Sequence, residues 1–372
     1  MKKYYLYGIK YLVIISILLC LSCKVKKFEN FIASGNYNGT YWPTNGWRSC
    51  SPEEVNMDSD QLYRVYEYVS EPERATLGII IIKDGYIIAE EYFRGNNQNN
   101  RFESYSVAKS FLSALVGIAI QEGYINSIND YAHQYFEEWQ GEDIAQRKKM
   151  ITIYHLLAMI SGISFNENYS DPNNDIIRMA SSGNYLNYML NQPMQYEPAR
   201  YWQYRTGNSI LLSGIIQRST GENTFSFGMD RMFRAIGIDQ IYWENDDNGL
   251  TIGGWGVNAT LREYAKFGYL YLNNGRWDGQ QIIFEEWITQ SIQPISENID
   301  FYGLHWWLIS GFDGFEESGL PQGICAAIGI HGQVLYVIPS ANIVIVKTAN
   351  TENPLDESWD HIHFLNLILE SL

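Results

Sequence analysis

The sequence predicts an α/β protein of the α+β type, a mainly antiparallel sheet flanked by helices with a helical region inserted into it. Three observations lead there. Residues 77–83 and 86–92 are two β-branched runs joined by Asp84-Gly85, the stretch from about 106 to 249 carries helical spacing and loops, and strand-like runs return from Tyr302 onward. Strands first, helices in the middle and strands last imply one sheet assembled from both ends of the chain. The domain then covers 44–372, with its sheet region at 44–105 and 250–372 and its helical region at 106–249.

Taken in order, 58–68 has the apolar spacing of a helix through Leu62, Val65, Tyr66 and Tyr68. Asp-Gly between the two β-branched runs signals a hairpin. A helix starts near Ser106, with Leu112, Leu115, Val116, Ala119 and Ile120 on its core face, and stops at Gly123. Further helical segments fall at 151–159, 185–190, 209–219 before Gly221, 261–273 and 281–290. Strands are expected at 302–309, 325–328, 333–338 and 342–347, and a helix at 356–372 closes the chain. No internal repeat or low-complexity run interrupts this order.

With 46% hydrophobic and 18% charged residues, the chain has the composition of a globular protein with a sizeable core. A formal net charge of −16 argues against a nucleic-acid footprint, which needs a basic face. Aromatic residues make up 15%, which suits either an extended substrate cleft or an aromatic-rich core. Lys2, Lys3 and Lys10 precede an apolar run at 12–21 that is too short to span a bilayer as a mature helix. The run ends in Leu21-Ser22-Cys23, which resembles a bacterial lipoprotein signal with Cys23 as the lipidated residue, the alternative being an ordinary secretory signal. On that reading 1–22 is a signal segment and 23–43 a tether. The protein would then be exported to the periplasm or cell envelope and would touch the membrane only through its lipid. Cys50 and Cys325 are left for the mature domain, either bridged or as two buried thiols.

The chemistry centres on Glu103-Ser104-Tyr105-Ser106-Val107-Ala108-Lys109-Ser110, which holds the only Ser-x-x-Lys in the sequence. Residues three apart on a helix share a face, so the Ser106 hydroxyl and the Lys109 amine can meet. That juxtaposes a nucleophile and a base, at a helix N-terminus that favours an oxyanion. The plainer alternative is an N-cap serine followed by a solvated lysine. Lys109 can act as a base only if desolvation or a nearby cation lowers its pKa. Tyr204, in a polar loop just before an apolar helix, is suitably placed to relay a proton, the plainer alternative being one more core tyrosine among 28. No metal site is expected: His361 and His363 alternate on a helix and point apart, which reads as a solvated face, and Asp246-Asp247-Asn248 reads as a turn. Neither a Gly-x-Ser-x-Gly elbow nor a His-Glu-x-x-His motif occurs.

Ser106-x-x-Lys109, then Tyr204-Arg205-Thr206 before a Leu-Leu helix and Thr220-Gly221, resembles the serine β-lactamase and penicillin-binding-protein superfamily in its class C-like branch. The Asp84-Gly85 hairpin, Thr152 to Gly162, Gly253-Gly254 and Tyr302-Gly303-Leu304-His305-Trp306-Trp307 fit the same pattern. Within that branch, Asn166-Glu167-Asn168-Tyr169-Ser170-Asp171-Pro172 and Gly329-Ile330-His331-Gly332-Gln333 are most similar to the 6-aminohexanoate-dimer hydrolases and related esterases. The resemblance implies a β-lactamase-like fold and a serine hydrolase that needs no cofactor and acts on a small molecule or short peptide. It casts Ser106 as nucleophile, Lys109 as base, Tyr204 as proton relay and Tyr169 as a substrate contact. His331, as a polar wall residue in place of the missing lysine, and Trp255 are further substrate-binding candidates, with a structural histidine the plainer reading of His331. The oxyanion hole would pair the Ser106 N–H with one from an edge strand near Ala327 and Ile328. Where the superfamily often has Lys-Thr-Gly, residues 324–330 carry no lysine, and Lys347-Thr348-Ala349 falls at the end of a later strand. That favours amide or ester hydrolysis over penicillin chemistry. The alternatives are a D-amino-acid peptidase, carboxypeptidase or β-lactamase on cell-wall-type substrates, and a catalytically silent protein that binds a peptide or glycan.

Overall fold

Asp84 and Gly85 both adopt left-handed backbone angles (φ 51° and 85°), the geometry a two-residue hairpin turn requires. The turn joins β1 (Thr76–Lys83) to β2 (Tyr86–Tyr92) at the sequence-predicted place. The computed structural model describes residues 37–142, 145–355 and 358–372. The expected signal segment, Cys20, Cys23 and most of the expected tether lie outside these.

Helix α1 (Ser59–Ser70) is capped by Asp58, whose carboxylate accepts from the N–H groups of Asp60 and Gln61. After β3 (Phe102–Glu103) the chain makes a tight 3-10 turn at Tyr105–Val107 and enters α2 (Ala108–Gln121). Ser106 therefore lies in the turn before the α-helix, not on it. The helical region continues through α3 (Ile153–Leu157), α4 (Asp175–Ser182), α5 (Tyr185–Leu190) and α6 (Thr206–Thr220). Next come β4 (Tyr242–Trp243), β5 (Val257–Ala259), α7 (Leu261–Leu272) and α8 (Glu285–Ser291). Apart from several shorter pieces, the chain closes with β6 (Trp307–Leu308), β7 (Cys325–Gly329), β8 (Gln333–Ile338), β9 (Ile343–Ala349) and α9 (His361–Leu369).

The main sheet runs β2-β1-β9-β8-β7-β6, antiparallel throughout. β1 pairs directly with β9, Ile80 opposite Val346, so the two ends of the chain meet at the sheet centre. Alternation along the strands sorts side chains between two cores. Ile80, Ile82, Val344 and Val346 pack with α2, α6 and α7, while Ile79, Ile81, Ile343 and Ile345 pack with α1 and α9. A second, three-stranded sheet in the order β3-β5-β4 lies beside the start of α2. Helix α2 is the hub, with every residue from Ala108 to Ala119 buried.

Several expectations need correction. Only Trp307–Leu308 of the run 302–309 is strand, because Gly303 N–H donates to the Trp306 carbonyl and His305 takes φ 62°, which turns the chain back on itself. The segment 281–290 divides into a short strand at Gln280–Gln281 and α8. β7 is not an edge strand at its start, since β6 covers Cys325 and Ala326. Cys50 and Cys325 are both buried free thiols. His361 is not on a solvated face, because its Nδ1 lies 2.6 Å from the Tyr336 hydroxyl. Asp246 does form a turn, its Oδ1 accepting from the N–H groups of Asn248 and Leu250.

The hub depends on Phe111. Its ring is fully buried, stacks on Phe267 at 3.8 Å and packs against Phe233, Trp243 and Tyr264. Phe111→Ala is expected to lower the unfolding free energy by about 3–5 kcal/mol, read from a urea titration.

Candidate active site

Helix α2 brings Lys109 into the interior one turn after Ser106. Lys109 is 2% exposed, and its Nζ donates to Ser106 Oγ at 2.9 Å and to the Gly254 carbonyl at 3.0 Å. The Tyr204 ring presents its face to the same Nζ, 5.0 Å from the ring centre, and the Tyr204 hydroxyl hydrogen-bonds with Ser106. Ser106 itself is half-buried, so part of it remains open to solvent while its hydroxyl meets the lysine. The serine, lysine and tyrosine named from sequence are thus brought together.

Burial dominates the electrostatics. It lowers the Lys109 pKa to about 8, against an opposing pull from the Glu167 carboxylate. At neutral pH about a tenth of the lysine is then the free amine, enough to accept a proton from Ser106. Burial first, and then the Glu167 charge, raise the Tyr204 pKa well above its usual value, with the Ser106 hydrogen bond opposing them. Tyr204 therefore stays a phenol, and of the two only Lys109 is brought into the range where a free amine is available near neutral pH.

Two glycines are fixed by this geometry. A Cβ on Gly254 would lie 2.3 Å from Thr206 Cγ2, so only glycine lets this loop bring its carbonyl to Lys109. A Cβ on Gly329 would lie 2.5 Å from the Ser104 carbonyl and 3.1 Å from the Ser106 nitrogen. The β7 residue lying against the Ser104–Ser106 backbone is thus Gly329, at the strand end. Ala327 and Ile328 precede it, Ala327 packed in the core between sheet and α2 and Ile328 half-buried over the opposite core.

The other sequence candidates make contacts of their own. Tyr169 is 36% exposed, and its hydroxyl donates to Glu167 Oε1 at 3.1 Å. Trp255 follows Gly254 in the chain, with its ring 5.7 Å from that of Tyr185. His331 is tied to the neighbouring backbone, its Nδ1 2.7 Å from the Thr351 carbonyl, and its ring packs at 5.0 Å on Tyr105, the residue before Ser106.

Sequence reasoning missed two groups. Glu167 caps α6: its Oε2 accepts from Thr206 N–H at 2.5 Å and its Oε1 from the Thr206 hydroxyl. That fixes the helix entrance two residues after Tyr204. His305, 2% exposed, lies between helices, with Nδ1 2.8 Å from the Leu157 carbonyl and Nε2 2.9 Å from Ser209 Oγ. Because a carbonyl only accepts, Nδ1 carries the proton. Burial and the nearby Lys109 lower the His305 pKa to about 3, so it stays neutral. The His305 carbonyl accepts from Ser110 Oγ at 2.7 Å, which ties this neutral brace to α2. Both residues sat in stretches already singled out, but nothing local to them signals a contact across the fold.

The β-lactamase family model matches residues 64–367. The chain is 24% identical over 310 residues to a 6-aminohexanoate-dimer hydrolase of Paenarthrobacter ureafaciens, covering 77% of this chain and 76% of that protein. Its fold is similar to a penicillin-binding-protein homologue from Caulobacter crescentus, with TM-score 0.67, 12% identity and coverage of 84% and 97% of the two chains. It is also similar to a family VIII carboxylesterase, with TM-score 0.64, 15% identity and coverage of 84% and 96%.

If Lys109 is the base, kcat/KM for an activated ester rises with pH along a limb centred near 8, not near the ordinary lysine value of 10.5. Glu167→Gln removes the charge that raises the Lys109 pKa, so the limb moves to lower pH. Gly329→Ala, by pressing on the Ser104–Ser106 backbone, is expected to lower kcat about 10- to 100-fold, measured on the same ester.

Proposed function

The chain belongs to the β-lactamase family, and from that premise we propose that it is a serine hydrolase cleaving an amide or ester through an acyl-enzyme. One observation carries the reading: a lysine sealed from solvent whose Nζ touches both the hydroxyl of a half-buried serine and a fixed carbonyl. A buried ammonium without function is costly, whereas one with a lowered pKa is a ready base.

In the first half-reaction the Ser106 oxygen bonds to the substrate carbonyl carbon while its proton passes to Lys109. The carbonyl oxygen becomes an oxyanion facing the Ser106 N–H at the end of β7. As the scissile bond breaks, the leaving nitrogen or oxygen takes a proton from Tyr204, which Lys109 replenishes. Water then attacks the acyl-serine, gives a proton to the same relay, and Ser106 regains its own on release of the acid. No step calls for a cofactor.

The strand edge supports an amide or ester lacking a carboxylate at that position. β7 reads Cys325-Ala326-Ala327-Ile328-Gly329 and offers no cation there. Lys347 stands two strands away in β9, 1% exposed, with its Nζ over the Trp359 ring at 3.9 Å. A substrate amide of the 6-aminohexanoate-dimer type or a simple acyl ester fits this edge better than a penicillin. Tyr169 and Trp255 are the proposed substrate contacts. Export belongs to the same proposal and rests on the apolar run at 12–21 and on Cys23 as the lipidated residue.

Two measurements test the reading. An active-site-directed phosphonate is expected to add a stable mass to the peptide containing Ser106, and Ser106→Ala is expected to abolish turnover of a p-nitrophenyl ester. Full activity in that variant sinks the assignment. Across short acyl esters, aminohexanoate dimers, D-Ala-D-Ala peptides and a chromogenic cephalosporin, turnover is expected on the first two.

A further inference from the structure

We infer that Glu103 is a positioning residue for the hydrolysis, one carboxylate that sets both the nucleophile's turn and the carbonyl that holds the catalytic lysine. The inference rests on the serine hydrolase reading of Ser106 and Lys109.

Glu103 ends β3, three residues before Ser106, and is half-buried. Its Oε1 accepts from Tyr105 N–H at 3.1 Å and from Gly256 N–H at 2.8 Å, and its Oε2 accepts from Asn258 Nδ2 at 2.8 Å. The first bond restrains Tyr105, an aromatic residue at φ 44° next to the nucleophile. A non-glycine residue in that region stores strain and persists only where its surroundings hold it. The second bond reaches the loop Gly253-Gly254-Trp255-Gly256, two residues beyond the carbonyl that accepts from Lys109 Nζ. Serine and lysine acceptor thus share one anchor, and their relative position follows from a single side chain.

The groups facing Glu103 come from every neighbouring element. Glu244, before the loop, and the phenols of Tyr105 and Tyr264 lie near enough to interact with its charge. The Tyr264 hydroxyl bonds to the Phe102 and Val257 carbonyls, and Ser104 N–H donates to Val257, so the strand pair holding Glu103 is itself fixed. Desolvation raises the Glu103 pKa, opposed by the two backbone N–H bonds. A protonated acid keeps Oε1 as an acceptor for both backbone groups, and so does glutamine.

Three variants test this on p-nitrophenyl ester turnover, with phosphonate uptake at Ser106 as a second readout. Glu103→Gln preserves the double acceptor and is expected to stay within about threefold of wild type. Glu103→Ala frees Tyr105 and the Gly256 loop; it is expected to lose about 10- to 100-fold in kcat with KM changed little, because the reacting groups are misplaced and the binding surface is not. Loss of the fixed Gly254 acceptor also removes support for the ammonium, so the acid limb of its pH–rate profile shifts to lower pH. A general loss of stability moves neither the limb nor kcat alone. Should the alanine variant fail to fold, Glu103→Asp keeps the charge but draws it back by one methylene, and it is expected to show the same kcat loss. A folded Ala or Asp variant within threefold of wild type, or a loss confined to KM with an unmoved limb, overturns the inference while leaving the hydrolase reading intact. A wild type that neither turns over ester nor takes up phosphonate overturns the hydrolase reading, and this inference with it.

Discussion

The structure turns on keeping one ammonium group dry. An ion taken out of water costs several kcal/mol unless its protons find acceptors. Lys109 meets that cost with Ser106 Oγ, the Gly254 carbonyl and the face of Tyr204. Each comes from a different part of the chain, and each has a local reason for being there. The 3-10 turn puts Ser106 in reach, the glycine pair lets a loop lie against α6, and Glu167 fixes the entrance of α6 so that Tyr204 closes the third side. Around them α2 buries nearly its whole surface, so the lysine cannot swing out to water without moving the hub of the fold.

How much of this was legible depended on range. The hairpin was readable because Asp84-Gly85 and its β-branched flanks carry the whole signal in sequence, and α5 and β8 were found at their observed limits for the same reason. Helix α4 was missed because Asn, Asp and Ser crowd its start and read as loop, although Asn174 is in fact its N-cap, accepting from Ile177 N–H. The run at 302–309 misled in the other direction. Its aromatic residues have strand propensity, but the turn at Gly303 and His305 is held by Ser110 and Ser113, whose hydroxyls donate to the His305 and Leu304 carbonyls. That is tertiary override of a local preference.

The site divides in the same way. Ser106 and Lys109 announce themselves because their chemistry is packed into four residues. The Gly254 carbonyl, Glu103, Glu167 and His305 do not, since a backbone oxygen has no letter of its own and the others are common residue types whose partners lie far along the chain. Their effects are nonetheless as specific as those of the named residues. His305 is a case in point: its position beside Lys109 suggests acid–base work, yet burial between two fixed partners leaves it neutral and makes it a brace.

The two carboxylates near the dyad pose the sharper physical question, because a negative charge beside a buried lysine works against its use as a base. The placement of Glu167 answers it. Its oxygens are engaged by the first N–H of α6, the Thr206 hydroxyl and the Tyr169 phenol, and the positive end of a 15-residue helix faces it. Much of its field is thereby spent on the helix entrance, and desolvation wins: the Lys109 pKa falls to about 8 despite a carboxylate close enough to oppose the fall. Glu103 is bound in the same manner by backbone N–H groups of Tyr105 and Gly256. The Glu167 charge that opposes the fall is thus largely absorbed by the entrance of α6, and both carboxylates hold the backbone around Ser106, Gly254 and Tyr204 in place.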